Sequence, residues 1–144
     1  MTGVVIDAST ALAWCFPDET SDYADAVLVS LEGSTILVPA VWSLEIANAV
    51  LVGKRQKRLG QTEVRRFVAL LEGLSLVGDA RTVGEQISNI VPLASEHGLS
   101  AYDASYLELA IRRGVPLATL DRKLRKAGKQ AGVEVFLEES ATGG

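Results

Sequence analysis

The sequence predicts an α/β fold with a central, mostly parallel sheet of four to five strands and helices on both faces. Short runs of Val, Ile and Leu, such as residues 4–6 and 35–38, lack the alternation of half-exposed strands and are typical of strands buried on both faces. Amphipathic segments stand between these runs, which favours a parallel sheet covered on both sides. We expect a single domain over residues 1–139 and a flexible tail at residues 140–144.

Five strands are predicted from short apolar runs that stop at a turn residue or a carboxylate. The first, residues 4–6, ends at Asp7, and the second, residues 35–38, stops at Pro39. The other three predicted strands are residues 74–77, residues 115–120, which run directly into Asp121, and residues 133–137.

Seven helices are predicted from apolar residues at helical spacing, capping residues at the starts, and Gly or Pro at the ends. The long helix at residues 41–55 and the next one, which begins at Thr62, are expected to form a hairpin that stands away from the sheet. A helix at residues 82–96 is expected to bend or divide near Pro92. The remaining helices are expected at residues 10–16, 21–31, 100–113 and 121–129.

Composition and charge exclude several classes of protein. The formal net charge of −4 argues against coating nucleic acid by bulk positive charge, although basic residues cluster at 54–58 and 122–129. The longest apolar runs, residues 11–16 and 36–42, fall well short of the roughly 18 residues that indicate a membrane span. Little sequence precedes the first strand, which leaves no room for a signal peptide, so we expect a cytoplasmic protein without a membrane partner.

Cys15 is the only cysteine of the sequence and His97 the only histidine. An intramolecular disulfide, a zinc site of Cys and His ligands, and a mechanism with two histidines as acid and base are therefore excluded. Cys15 lies in an apolar segment and is expected to pack in the core. His97 precedes Gly98 at a predicted helix end, where it is expected to serve the cap.

Four acidic residues lie where predicted elements begin or end: Asp7, Glu45, Asp103 and Asp121. In a parallel sheet the carboxyl ends of strands and the amino ends of the following helices share one edge, so these side chains are expected to converge. Each also has a purely local explanation. Asp103 follows Ser100 at the spacing of a capping box, Asp121 could cap a helix, Asp7 could start a turn, and Glu45 could be solvated.

Carboxylates that share a small site must raise their pKa values or recruit a cation. Oxygen ligands favour hard ions such as Mg²⁺ and Mn²⁺ over zinc, and Mg²⁺ leaves positions for phosphate oxygens. Such a site activates water without a histidine. The expected chemistry is therefore metal-assisted hydrolysis of a phosphodiester.

Four segments carry a resemblance to a known family. They are residues 4–9 (VVIDAS), 42–48 (WSLEIAN), 99–106 (LSAYDASY) and 118–124 (ATLDRKL). In this order they resemble the PIN-domain ribonucleases, and the chain length and the early first Asp are similar to the VapC toxins of VapBC toxin–antitoxin modules. The resemblance spans nearly the whole chain.

The resemblance implies a PIN-like three-layer α/β/α fold and a Mg²⁺- or Mn²⁺-dependent endoribonuclease that cuts single-stranded or loop RNA. It implies a catalytic and metal-binding quartet formed by Asp7, Glu45, Asp103 and Asp121, with Asp7 and Asp103 as direct metal ligands. It implies supporting roles for Ser9, Asn48 and Thr119.

The resemblance further implies a homodimer and a cognate VapB-like antitoxin that covers the acidic pocket. The apolar helix pair at residues 41–71 is the expected partner and RNA surface, although its apolar face could belong to the core instead. RNA phosphates are expected to be guided by basic residues, namely Lys54, Arg55, Lys57, Arg58, Arg122 and Lys123.

Three alternatives stay open. Another metal-dependent phosphohydrolase, such as a phosphatase of the haloacid dehalogenase type, needs a second Asp two residues after the first, where this chain has Ser9. A signalling receiver domain needs a phosphoacceptor Asp and a later Lys, and Asp79 and Lys123 fit those roles poorly. A catalytically silent PIN-like binding module is the third, and an intact quartet argues against it.

Overall fold

A parallel sheet forms the centre of the structure, a computed structural model that describes residues 3–138. Within that range the sheet has four strands: β1 (Gly3–Ile6), β2 (Thr35–Val38), β3 (Leu76–Gly78) and β4 (Leu117–Ala118). They lie in the order β3-β2-β1-β4, and each neighbouring pair is parallel. This confirms the predicted α/β class with its parallel sheet. The predicted tail at residues 140–144 lies outside the described residues.

Seven helices surround this sheet in the described range. They are α1 (Ala8–Cys15), α2 (Asp22–Ser30), α3 (Val41–Arg55), α4 (Gln61–Glu72), α5 (Val83–His97), α6 (Ala101–Arg113) and α7 (Arg122–Gln130). Helix α6 packs directly against β1, β2 and β4, and it also contacts α5 and α7. Helices α2, α3 and α4 each contact α1. None of these helices is long and apolar enough to cross a bilayer.

The hairpin of α3 and α4 packs on α1, and Gly53 permits this close approach. A Cβ atom at Gly53 would lie 2.6 and 2.8 Å from two ring carbons of Phe16, just beyond the end of α1. Only a residue without a side chain fits there unless the ring moves. The far end of α3 is therefore fixed against α1, while its first turns lie after β2, near the carboxyl edge of the sheet.

Two features of the expected secondary structure were wrong, namely the last strand and the division of a helix near Pro92. The segment at residues 133–137 forms one isolated bridge, between Leu117 and Val135, because the chain leaves the extended conformation at Leu137, where φ is +56°. Helix α5 continues through Pro92 and is not divided there. Pro92 and Ser88, whose carbonyl would have accepted the missing N–H, are both exposed, so water can replace that hydrogen bond.

The single cysteine is buried as expected, and the single histidine lies at the end of a helix. Cys15 is buried at the end of α1, and burial raises the pKa of its thiol to about 11. His97 ends α5 and is followed by Gly98, whose φ of +63° forms a left-handed cap. Neither residue is among the candidate site residues.

Candidate active site

Asp7 lies directly after the central strand, where the sheet and helix α1 meet. Its backbone N–H donates to the carbonyl of Ala118 at 3.1 Å, which extends the pairing of β1 and β4 by one residue. Its side chain caps α1 by accepting the N–H of Thr10 at 3.1 Å. The residue is 4% exposed, so a carboxylate stands at the buried edge of the core.

Three hydroxyl groups surround the Asp7 carboxylate. The hydroxyl of Ser9 lies 2.8 Å from both oxygens, that of Thr10 lies 3.1 Å from Oδ1, and that of Thr119 donates to Oδ2 at 2.5 Å. Burial raises the pKa of Asp7, and the hydrogen bonds from Thr119, Thr10 and Ser9 lower it in part. These donors are what makes a buried anion tolerable at this position.

The same hydroxyls tie the end of β1 to the turn after β4. Thr119 Oγ1 also accepts the N–H of Asp121 at 2.9 Å, and Ser9 Oγ accepts the N–H of Leu120 at 3.1 Å. Arg125 donates to the Thr119 carbonyl at 2.6 Å. The backbone that carries Asp121 is therefore held in place beside Asp7.

Asp103 and Asp121 lie near enough for the charge of Asp121 to act on Asp103. Asp121 caps α7 by accepting the N–H of Leu124 at 2.9 Å, and the N–H of Asp103 donates to Ser100 Oγ at 3.1 Å. The pKa of Asp103 is raised first by partial burial and then by the negative charge of Asp121; Ser100 and the charge of Lys123 lower it. Both acids therefore lie at helix starts as local capping requires, and the charge of Asp121 also acts on Asp103.

Glu45 joins the group through Tyr106, whose hydroxyl donates to Glu45 Oε1. Tyr106 is 1% exposed, and its pKa is raised by burial, by its bond to Glu45, and by the charges of Glu45 and Asp7. Its phenol therefore stays protonated and acts as a donor. Sequence analysis missed this role; the available signal was its position three residues after Asp103, which puts both on one face of α6.

The other predicted site residues lie in two regions: along α3 and just after it, and at the start of α7. Asn48 is exposed on α3, one turn beyond Glu45. Lys54 lies nine residues beyond Glu45, about 14 Å along the helix axis. Arg58 pairs with Asp18 at 3.0 Å and with Glu19 at 2.8 Å.

The basic residues are therefore not gathered at one place. Residues 54–58 lie at the far end of α3, so the structure does not bring this cluster to the acids. Arg122 and Lys123, in contrast, begin helix α7 directly after Asp121, and the charge of Lys123 acts on Asp103.

The oxygen donors at this edge suit a hydrated hard cation better than a metal ion whose ligands all come from the protein. No group of three or more His, Cys, Asp or Glu residues in the described part of the chain could by itself hold a metal ion. Mg²⁺ usually takes one or two carboxylates directly and keeps several waters, so a site for this ion does not need three protein carboxylates. A zinc site has no soft ligands here.

A model of the PIN domain family matches residues 4–130. The chain belongs to this family. Ribonuclease VapC3 of Pyrobaculum aerophilum is 30% identical over 121 residues, which are 84% of this chain and 91% of that protein.

Solved structures share the fold. The crystal structure of PAE2754 from Pyrobaculum aerophilum aligns with a TM-score of 0.64 at 25% identity, over 88% of this chain and 79% of that chain. VapBC2 from Rickettsia felis, bound to a promoter DNA fragment, gives a TM-score of 0.66 at 12% identity, over 93% and 97% of the two chains. FitAcB from Neisseria gonorrhoeae gives a TM-score of 0.60 at 19% identity, over 92% of this chain and 96% of that chain. The last two likenesses concern the fold alone.

Replacing Asp103 with Asn is expected to make the metal-free protein more stable at neutral pH. Because the pKa of Asp103 is raised, the folded protein holds that proton to a higher pH than the unfolded chain. The wild type therefore loses stability as the pH rises from the usual value of 3.8 through the raised one, and Asp103→Asn removes this loss. Urea unfolding in EDTA at pH 4 and pH 8 measures the free energy of unfolding of the wild type and the variant. The excess stability of the variant should be larger at pH 8.

The matched control is Asp79→Asn. Asp79 accepts a hydrogen bond from Arg112 at 2.5 Å, so the same chemical change should destabilise the protein there. Destabilisation by both substitutions at pH 8 would mean that Asp103 is an ordinary structural carboxylate.

Proposed function

We propose that this protein is a metal-dependent endoribonuclease of the VapC type, which hydrolyses phosphodiester bonds in RNA. The observation that carries the proposal is the Thr119 hydroxyl, which joins the Asp7 carboxylate to the backbone of Asp121. The charge of Asp121 in turn raises the pKa of Asp103, which supports a group of carboxylates from three elements at one edge of the sheet. The 30% identity to Ribonuclease VapC3 supports the same activity.

Each residue then has a distinct task. Asp7 and Asp103 would hold Mg²⁺ or Mn²⁺, with Asp121 completing the negative charge around it. A bound ion of this kind neutralises phosphate charge and lowers the pKa of water. The hydroxyls of Ser9 and Thr119 keep Asp7 oriented.

Glu45 has a separate task in this proposal. The bond from Tyr106 occupies its Oε1, which orients the carboxylate and leaves it able to accept a proton from the attacking water. Glu45 would thus act as the general base.

We expect the purified wild type to cut discrete sites in a mixed RNA pool when Mg²⁺ or Mn²⁺ is present. Asp7→Asn and Asp103→Asn should each lower the rate about 100-fold or more, since each removes a charged oxygen donor. EDTA should abolish cutting. Primer extension of the products gives both the rate and the cleavage positions.

Asp25→Asn is the matched control, because Asp25 is an exposed residue of α2 outside the acidic group. It should cleave at the wild-type rate. A folded, antitoxin-free wild type that cuts no more RNA than Asp103→Asn would reject the ribonuclease and favour a catalytically silent binding module.

We propose that Arg122 and Lys123 guide RNA phosphates to the acids, whereas the cluster at residues 54–58 contributes less. Arg122→Gln with Lys123→Gln should weaken RNA binding and reduce the salt dependence of the binding constant by about one unit of slope for each lost phosphate contact. Lys54→Gln with Lys57→Gln removes the same charge and is the control. Binding is measured over a salt series in EDTA; equal losses in both double variants would contradict this assignment.

A homodimer is proposed from an apolar stripe on α5. Val83 is 74% exposed, and Ile87 and Val91 are each 58% exposed. Their spacing of four residues aligns them on one face of the helix. An apolar stripe of this kind is suited to a two-fold contact with the same stripe of a second copy.

The VapB-like antitoxin is proposed to bind the groove between α3 and α4. The groove has a volume of about 440 Å³, and its walls include Ile46, Val50, Phe67 and Val68. Trp42 also lines it, and its indole N–H has no acceptor among the described residues, so a bound segment could supply one. An amphipathic helix is the partner that such a groove accepts.

Ile87→Glu tests the apolar stripe on α5, and Val68→Glu tests the groove between α3 and α4. Each variant is the control for the other. A buried charge in the dimer stripe should shift the protein to monomer in light scattering and leave antitoxin binding intact. A charge at Val68, which is 45% exposed, should abolish co-purification with a co-expressed VapB-like antitoxin and leave the dimer intact. A dimer that survives Ile87→Glu, or a complex that survives Val68→Glu, would contradict the corresponding surface.

A further inference from the structure

A cavity of about 210 Å³ lies next to the acidic group, and none of the proposed catalytic tasks uses it. Its walls come from the connection between β2 and α3 with the first residue of α3, from the connection between β3 and α5, from α5 and from α6. Tyr102 in its wall directly precedes Asp103, and Val41 lies one turn before Glu45. The cavity and the candidate active site therefore share two helices.

Buried ion pairs line one side of this cavity. Arg81 and Glu108 both line it, their side chains are 8% and 9% exposed, and they pair with each other. Glu108 also accepts from Arg112 at 2.8 Å, and Arg112 pairs with Asp79 at 2.5 Å. Arg81 lies 3.6 Å from a fifth member, Glu85.

This network decides which ligands the cavity can accept. Its two guanidinium groups are matched by three carboxylates, so this side of the cavity carries no excess positive charge. An anionic phosphate would gain nothing there. The walls therefore disfavour an anionic group and are compatible with an uncharged ligand that can hydrogen-bond.

The other walls favour a flat heterocycle. Val41 and Ile90 give the cavity apolar surfaces, and Gln86 provides an amide that can both donate and accept. Tyr102 is 61% exposed at α6, which leaves its ring available for stacking. Unstacked RNA bases are bound by aromatic rings at their faces and by polar groups at their edges.

We propose that this cavity is a base-binding subsite that selects the nucleotide next to the scissile phosphate. Tyr102 stacks on the base, and Gln86 reads its edge. The proposal rests on the ribonuclease function and adds to it a pair of specificity-determining residues. Neither residue is needed to hold the acids in place.

Cleavage of a random-sequence RNA pool with Mg²⁺ tests the subsite. The wild type should prefer one nucleotide at a fixed position beside the cut, and Gln86→Leu, of similar size but without hydrogen bonds, should reduce that preference about tenfold. Tyr102→Ala should lower kcat/KM about tenfold through loss of stacking, whereas Tyr102→Phe should retain it. Gln130→Leu, at the exposed end of α7, is the matched control and should behave as the wild type.

A second measurement separates this proposal from the ribonuclease proposal. Each of the four ribonucleosides is titrated into the wild type in EDTA, and amide shifts are followed by NMR. One nucleoside should shift Ala40, Gln86 and Tyr102 selectively, and Gln86→Leu should abolish the effect.

If the wild type cleaves RNA, its base preference tests the subsite. An active enzyme without a base preference, or with a preference that Gln86→Leu leaves unchanged, overturns the subsite. If the wild type cleaves nothing, the titration decides. Selective shifts then support base binding although the ribonuclease function fails, and their absence overturns the subsite.

Discussion

The burial of the Asp7 carboxylate is the constraint on which the site depends. Removing a carboxylate from water costs several kcal/mol unless hydrogen bonds compensate for it. Thr10 and Ser9 belong to the local turn into α1, but the Thr119 hydroxyl comes from the turn after β4. Its position depends on the parallel pairing of β1 with β4, so the same register that builds the sheet also satisfies the anion.

Helix α6 connects this anion to the rest of the site. Asp103 in its first turn lies beside Asp121, Tyr106 one turn later holds Glu45, and Glu108 anchors Arg81 and Arg112 below the adjacent cavity. The helix packs on three of the four strands of the described sheet. One helix therefore carries Asp103, holds Glu45 through Tyr106 and lines the proposed base-binding subsite.

The acidic group lowers the stability of the fold in a way that suits the proposed chemistry. Asp103 and Asp121 repel each other, and burial penalises Asp7 and Asp103, which a purely structural edge of a sheet would avoid. Such conflicts between local groups are expected at functional sites, because the surrounding fold has to hold them in place. A hard cation would relieve this conflict, which is why the acids and the proposed metal are best understood together.

The sequence by itself determined the order of the elements and the local place of each acid. Apolar runs, caps and stops are short-range signals, and Asp7, Asp103 and Asp121 each lie beside one of them. Tertiary structure alone decided the partners: Thr119 reaches Asp7 across 112 residues and Tyr106 reaches Glu45 across 61. It also paired Arg58 with Asp18 and reduced the last predicted strand to one bridge. Strand register and helix packing set these contacts, and no local pattern encodes them.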